Sequence, residues 1–590
     1  MAITHKQERF CTMLNWLESI YSDGTRGFVS NPSPSLGDKV KISMRLLEDS
    51  PVEKIFVRRI SNGAEEYIEM AKEKSVSGLV YYSAETVMNE PCLSYYFVLA
   101  CKDVIYFYTQ AGVMTYVPDD EHNFTLLSLY EQPEWVKGAV YYQIFPTSFK
   151  DHSLYGVIEK IPYLKELGVT AVYLNPIFSA PSEHKYDCAD YFHVDESLGG
   201  DAALEALSKA LHENGLRLIL DISINHTGLE YSWVRDRNDF YVKDKDGSIK
   251  GWAGYKGLPV LDYRNEKVRE LIYRGENSVI RKWLRPPYDI DGWRFDVADV
   301  WGRNDDVQLA DELWKELCEV IREEKKDAMI IGEHWGDCTR FLQGDLWNAS
   351  MNYFGFGRII RQFAGLPDLF LERNETLKAV KYKMTAKDVV ARTDEFYTKL
   401  PQIITDCSMN LFDSHDVSRA HNNKEIDDAT WQSMAISQIF WTGIPCIYYG
   451  DELEIDGYIE HDSGFRYKMP WDEEAKRKNG KQFKTYQKLS WLRSNEPAFS
   501  EGGRKVLYAD GYILAIARFM ENNIYLGIIS MEDVEKTVRI PVGYVGATAP
   551  LDNVDELGNS FTGKAASDGE YEITIPARGS FVIKLAAHIS

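Results

Sequence analysis

The sequence predicts an α/β protein: a (β/α)8 barrel with an N-terminal β-sandwich before it, a short subdomain after its third strand and a C-terminal β-sandwich behind it. Three observations carry that expectation. Between residues 134 and 496, apolar strand-like runs alternate with amphipathic helical stretches, a pattern that calls for a parallel sheet joined by helical crossovers. Eight strand candidates occur there, the number that closes a barrel. Three phrases carry a short apolar run into an acid: Gly292-Trp293-Arg294-Phe295-Asp296, Ile331-Gly332-Glu333 and Phe412-Asp413-Ser414-His415-Asp416. A barrel presents carboxylates in this way, because each strand is buried and its C-terminal tip opens into the site.

Residues 1–133 read as the first unit. Helical periodicity is confined to its first twenty residues. Strand-like pieces then recur at Val40 to Leu46, Lys54 to Ile60, Gly78 to Tyr82, Ser94 to Cys101 and Val104 to Thr109, with turn residues between them, as in an antiparallel sandwich. Glu131-Gln132-Pro133-Glu134-Trp135 marks the boundary. The barrel, 134–496, should place its strands at Ala139 to Phe145, Ala171 to Leu174, Leu216 to Ile222, Gly292 to Val297, Met329 to Glu333, Ser350 to Tyr353, Ile403 to Leu411 and Pro445 to Tyr449. The irregular Gly-, Lys- and Asp-rich stretch 226–262 interrupts it as an inserted subdomain. After Glu496 a period of two returns in Tyr512 to Arg518, Ile524 to Ser530, Thr537 to Ile540, Tyr571 to Ile575 and Ser580 to Leu585, which predicts the second sandwich, 497–590.

At 590 residues, 44% hydrophobic and 27% charged, the chain has a soluble globular composition and is too long for one core. Two to four domains are expected. A net charge of −23 argues against nucleic acid and against an anionic membrane, since both are polyanions, and suits a neutral substrate. Met1 to Tyr21 carries Lys6, Glu8, Arg9 and Glu18, so it lacks the apolar core of a signal peptide. Other apolar runs are broken by charge before the roughly 18 residues of a membrane span, for example at Lys102 and Asp103. The eight cysteines, from Cys11 to Cys446, include no C-x-x-C pair, which indicates neither a zinc cluster nor a disulfide scaffold. A reducing cytoplasm is the expected compartment.

Acids at barrel-strand tips suggest glycoside hydrolysis. A retaining glycosidase uses one ionised carboxylate as nucleophile and one protonated carboxyl as general acid. Asp296 follows Arg294 by two positions, and in an extended strand such residues project alike, so the guanidinium is expected to keep this acid ionised. Glu333 ends the apolar run Met329-Ile330-Ile331-Gly332, whose desolvation is expected to favour the protonated form.

With Asp221-Ile222-Ser223-Ile224-Asn225-His226, these phrases form an ordered set that closely resembles the four signature regions of the α-amylase superfamily of glycoside hydrolases. Tyr141-Tyr142-Gln143-Ile144-Phe145-Pro146, His184-Lys185-Tyr186-Asp187, Ala189-Asp190-Tyr191 and Tyr448-Tyr449-Gly450-Asp451-Glu452 further resemble the branch of cyclomaltodextrinases, neopullulanases and maltogenic amylases. The resemblance implies Asp296 as nucleophile and Glu333 as general acid and base. It also implies that Asp416 and His415 hold hydroxyls of the sugar at the cleavage point, through bonds that strengthen as the ring flattens. His226 corresponds to a second sugar-binding histidine, Tyr186 to the aromatic platform beneath that sugar and Trp335 to an aromatic on the leaving-group side. Asp462 and Arg466 lie in a loop similar to the element that closes the nonreducing end of the cleft. Asp221 and Asn225 resemble the family's bracing residues, and 226–262 its protruding subdomain.

Two phrases depart from the branch: Val297-Ala298-Asp299-Val300 where Val-Ala-Asn-Glu is usual, and Leu258-Pro259-Val260-Leu261-Asp262 where Met-Pro-Lys-Leu-Asn is usual. Both fall on the leaving-group side, so bond preference and cyclodextrin activity stay open. The loop Thr147 to Tyr155 is short and lacks the Asn/Asp-rich calcium site of many relatives; hard cations need several oxygen ligands, so no metal site is expected and calcium is not indicated. No redox or nucleotide cofactor is needed. The implied activity is hydrolysis of α-1,4 bonds in short maltodextrins, with cyclodextrins, pullulan and transglycosylation as further candidates. The alternatives are an α-glucosidase or conventional α-amylase on the same barrel, and a catalytically silent sugar-binding subunit. The sandwich before Trp135 resembles a domain that packs on a partner's barrel in this branch, which implies a homodimer.

Overall fold

A computed structural model describes residues 14–588 apart from 372–373, 375, 378–379, 381, 423–425, 456–463 and 567–568. Eight parallel strands form its central sheet: Tyr141–Ile144, Ala171–Leu174, Arg217–Ile222, Gly292–Phe295, Met329–Gly332, Ala349–Ser350, Met409–Asn410 and Ile444–Tyr448. Each lies beside its neighbour in sequence, the eighth pairs with the first, and a parallel bridge between Met351 and Met409 joins the sixth to the seventh and closes the ring. The barrel expected from the sequence is therefore formed.

The pleat explains how the barrel is filled. Tyr141, Ala171, Tyr173, Ile219, Met329, Ile331, Ala349, Met409 and Ile444 make an interior cluster. Their neighbours Tyr142, Val172, Leu218, Leu220, Trp293, Ile330 and Ile447 pack outward, under the helices. Successive strand residues face opposite sides, so the residues one pleat beyond the interior plug also turn inward. Those are Gln143, Asn175, Asp221 and Glu333, which with Arg294 top the apolar plug with polar groups at the C-terminal face. Outside, helix Ala310–Glu324 buries Leu313, Trp314, Leu317, Cys318 and Ile321, spaced by three and four, while charged residues face water. Each such aliphatic side chain contributes roughly 1.5–3 kcal/mol when fully buried.

The seventh strand is shorter than its apolar run implied. Of Ile403 to Leu411, only Met409–Asn410 is strand, because Pro401 starts a helical turn, Gln402–Thr405, whose Ile404 and Thr405 N–H groups donate to the Pro401 carbonyl. The sixth strand likewise ends at Ser350, and Tyr353–Gly357 coils into a wide helical turn. In the inserted stretch a helix, Ser232–Asp236, precedes a hairpin of Gly251–Trp252 and Tyr255–Pro259. Bridges from His226 to Val260 and from Tyr241 to Leu261 hold this segment down.

Before the barrel, a three-stranded sheet built around Lys39–Leu47 faces a six-stranded one built around Val52–Ser61 and Cys92–Cys101, with Ile42, Met44, Ile55, Val57, Tyr95 and Phe97 between them. Strands Ala64–Glu69 and Ala71–Val76 escape the sequence reading because they are exposed edges rich in Glu and Lys, with no apolar face to give a period of two. The expected N-terminal helix is a single turn, Trp16–Ser19, capped by the Asn15 side chain; residues 1–13 lie outside the described residues. Behind the barrel, four- and three-stranded antiparallel sheets pack about Ile513, Ala515, Leu526, Ile540, Ile573 and Phe581. The described cysteines are all free, and no described helix is long and apolar enough to cross a membrane.

Candidate active site

Arg294 organises the C-terminal face of the barrel. Its side chain is 0% exposed. Nη1 donates to Asp221 Oδ1 at 2.9 Å and to Asp296 Oδ1 at 3.2 Å, and Nη2 lies 3.0 Å from Glu333 Oε2. One guanidinium thus joins carboxyls from the tips of strands three, four and five. Glu333 is held further by the Val297 backbone N–H, which donates to Oε2 at 2.7 Å, and by Trp335 Nε1, which donates to Oε1 at 3.0 Å. Val297 has a φ of +42°, a left-handed conformation that strains a β-branched residue, and this turn aims its N–H at the neighbouring strand. The glycine of Ile331-Gly332-Glu333 is required by packing, since a Cβ there would sit 2.5 Å from the Trp347 ring.

A second group comes from strands one, two and seven. Gln143 Nε2 donates to His415 Nδ1 at 2.7 Å, which leaves the ring proton on Nε2. Nε2 lies 2.6 Å from the Tyr186 hydroxyl and 3.1 Å from Asp416 Oδ2. The Tyr186 hydroxyl in turn donates to Asp221 Oδ2 at 2.9 Å. Proton direction is therefore fixed along the chain Gln143, His415, Tyr186, Asp221. The Tyr186 ring stacks against His415 and His184 at centroid distances of 5.6 and 6.0 Å. Burial, reinforced by the positive charges of Arg294 and Arg466, pushes the His415 pKa far below the ordinary histidine value, so the ring is neutral.

Four carboxyls crowd this space, and their charges interact. Burial, then the charge of Glu333, raises Asp296 well above the ordinary aspartate range, although Arg294 opposes both. This corrects the expectation that Arg294 alone would keep Asp296 ionised: the guanidinium is shared with Asp221 and Glu333, so its charge does not offset all three. Burial and Glu333 likewise push Asp416 up to about 7, against Arg294 and Arg466. Burial raises Asp221, again opposed by Arg294. The expectation that an apolar run would isolate Glu333 is also corrected, because both of its oxygens accept N–H groups. Asp296 and Glu333 titrate as a coupled pair.

The remaining expected residues fall in different places. Arg466 Nε donates to the His415 carbonyl at 3.0 Å and Nη2 lies 3.8 Å from Asp416 Oδ1, which puts it at the rim. Trp335 stacks face to face on Tyr353 at 3.9 Å. His226 is only 1% exposed: Ser223 and Asn225 contact its two nitrogens at 3.2 Å, and Trp252 of the inserted hairpin stacks over its ring at 5.5 Å. Burial lowers its pKa to about 3, so it too is neutral. Asp462 lies outside the described residues. The unusual Asp299 pairs with His334 Nδ1 at 3.3 Å, next to Glu333.

Sequence reasoning passed over Gln143, Asn175, Tyr353 and Trp252. Gln143 was findable, since a polar residue inside the apolar run Tyr141 to Phe145 demands a buried partner. Asn175, one residue past its strand, donates to the Tyr186 hydroxyl at 3.2 Å. Nothing local marks Tyr353 or Trp252, whose partners are distant in sequence. No group of three or more His, Cys, Asp or Glu suited to a metal ion occurs among the described residues.

The α-amylase catalytic-domain model matches residues 143–254 and 251–503. A cyclomaltodextrinase of Geobacillus thermopakistaniensis is 29% identical over 533 residues, covering 82% of this chain and 85% of its own. An intracellular maltogenic amylase of Bacillus subtilis is 30% identical over 466 residues, covering 70% and 73%. Among solved structures, a cyclomaltodextrinase superposes with a TM-score of 0.69 at 24% identity, covering 97% of this chain and all of that one, a likeness of fold.

Proposed function

The chain belongs to the α-amylase catalytic-domain family, and from that premise we propose that it is a retaining hydrolase of α-1,4-glucosidic bonds in maltodextrins, acting also on cyclodextrins or pullulan. The observation that carries the chemistry is the single guanidinium bridging Asp296 and Glu333. That closeness suits the roughly 5 Å spacing of retaining enzymes better than the 6.5–9.5 Å that an inverting enzyme leaves for water. Relatives named cyclomaltodextrinase and maltogenic amylase favour this reading over an α-glucosidase or a conventional α-amylase.

Asp296 Oδ1 is held by Arg294, while Oδ2 has no bond among the described residues, so Oδ2 is the attacking atom. It bonds to the anomeric carbon as the glycosidic C–O bond breaks, and Glu333 gives a proton to the departing oxygen. Oε1 of Glu333, held by one indole N–H, is the oxygen that exchanges this proton. Glu333 then takes a proton from water, whose oxygen attacks the same carbon and releases Asp296 with configuration retained. Neutral His415 and Asp416 support the distorted sugar, with Tyr186 beneath it, and Trp335 borders the leaving group. His226 reaches the sugar once Trp252 moves aside. Asp221 and Asn225 brace the site, and Arg466 with Asp462 bounds its nonreducing end. Following the first products from maltotriose, pullulan and β-cyclodextrin by NMR should show newly formed α-anomers; a β-anomer appearing first would reject the mechanism.

No metal takes part in this scheme. Treatment with EDTA is expected to leave both maltotriose hydrolysis and the melting temperature unchanged. A fall of ten degrees or more that calcium reverses would reveal a bound ion. The relative named intracellular supports placement in the cytoplasm.

The sandwich before Trp135 supports a homodimer in which one protomer's sandwich narrows the partner's cleft, and a roofed cleft excludes branched polymer on steric grounds. Light scattering should therefore give twice the mass of one chain, and deletion of Met1 to Pro133 should give a monomer with relatively more activity on starch. A full-length monomer with equal rates on starch and maltotriose would end this part of the reading.

A further inference from the structure

A cavity of about 490 Å³ lies between the two sandwiches, far along the chain from the acids at the barrel mouth. Arg45 lines it from the N-terminal sandwich and is 3% exposed. The guanidinium lies 4.3 Å from the centroid of the Phe519 ring, and Nη1 donates to the Tyr81 hydroxyl at 3.1 Å. Nε and Nη2 have no hydrogen-bond partner, and no carboxylate stands within ion-pairing distance of Arg45 among the described residues. Stacking on Phe519 satisfies the face of the guanidinium and leaves its edge N–H groups idle. Asp23 is within electrostatic range, but its oxygens already accept from Tyr21 and Thr25. A buried cation with idle donors is costly unless an anion or water completes it.

The rest of the lining adds positive charge. Lys74 has no ion pair among the described residues, and its Nζ lies 5.1 Å from the same Tyr81 ring. Lys41 is paired with Glu73 at 2.5 Å and Arg26 with Glu501 at 3.3 Å; Glu521 is the other acid at the wall. In a chain of net charge −23, this gathering of four cations about one cavity creates a local positive field. An arginine fork flanked by lysine point charges is the donor set suited to phosphate. The volume, within the range of small-molecule sites, leaves room for a sugar ring beside the phosphate.

We propose that the cavity between the sandwiches, with Arg45 at its wall and Lys41 and Lys74 beside it, binds a small phosphate-bearing anion. Occupancy pins one sandwich to the other and leaves the hydrolytic site untouched. The test is calorimetric titration of the full-length protein with inorganic phosphate and with glucose 1-phosphate, at ionic strength matched with chloride. Saturable binding is expected, weakened at least tenfold in the double variant Lys41→Ala/Lys74→Ala, which should hydrolyse maltotriose at the wild-type rate. Tighter binding of glucose 1-phosphate would identify a sugar phosphate as the ligand, and equal binding the phosphate group itself; either supports the site. Arg45→Gln should abolish binding, and because a buried substitution can impair folding, the lysine variant carries the decision. Absence of saturable heat, or binding that the lysine variant leaves unchanged, overturns the proposal.

Discussion

Replacing Asp296 with asparagine is expected to lower maltodextrin hydrolysis by roughly four orders of magnitude, the scale of loss when a covalent route is removed. The change is nearly isosteric, so circular dichroism and maltotriose binding should stay close to wild type. More than a tenth of wild-type turnover in the pure variant would remove Asp296 from the nucleophile's role. The same variant has a second readout. Because burial and Glu333 raise its folded-state pKa above the ordinary value of 3.8, Asp296 binds a proton more tightly folded than unfolded. Its contribution to stability is then fully present below the unfolded pKa and lost as pH rises through the folded one. Asp296→Asn should melt at a higher temperature than wild type at pH 8, with the gap closing towards pH 4. A gap that widened on acidification would contradict the assigned direction.

Glu333→Gln is expected to reduce hydrolysis of unactivated maltodextrins by roughly 10²–10⁴-fold, the usual range for loss of a general acid. Formation of the glycosyl-enzyme from an aryl maltoside with a good leaving group should suffer much less, because that oxygen departs without a proton. Equal losses in the first step on both substrates would show that Glu333 acts in some other way. The variant also removes the negative charge that helps to raise Asp296 and Asp416. The acidic limb of kcat/KM should therefore move to lower pH.

Some of this architecture could be read directly from the chain. Tyr141 with Tyr142, and Leu218 with Ile219, sit in runs whose character and spacing specify buried parallel strands, and their alternation decides which residues fill the barrel and which meet the helices. Where the local signal was ambiguous, the reading failed. Ile403 and Ile404 are apolar in a strand or in a helical turn, and Pro401 selected the turn. Ala64–Glu69 pairs through its backbone with Phe56 to Ser61, a contact that leaves no mark on its exposed side chains.

The sequence by itself determined the strand-tip acids, their order and the glycine that lets Glu333 follow a close-packed strand, because each depends on local pattern and on steric limits within a few residues. Only the tertiary structure decided how those acids are charged and held. Arg294 is two residues from Asp296, yet it also meets Asp221 and Glu333 from neighbouring strands, so its charge is divided and Asp296 is raised rather than lowered. Trp252 closing over His226, and Arg45 idle between two sandwiches separated by hundreds of residues, are likewise set by packing between distant segments. Burial and Coulomb interactions depend on distance in space, and distance along the chain does not fix it.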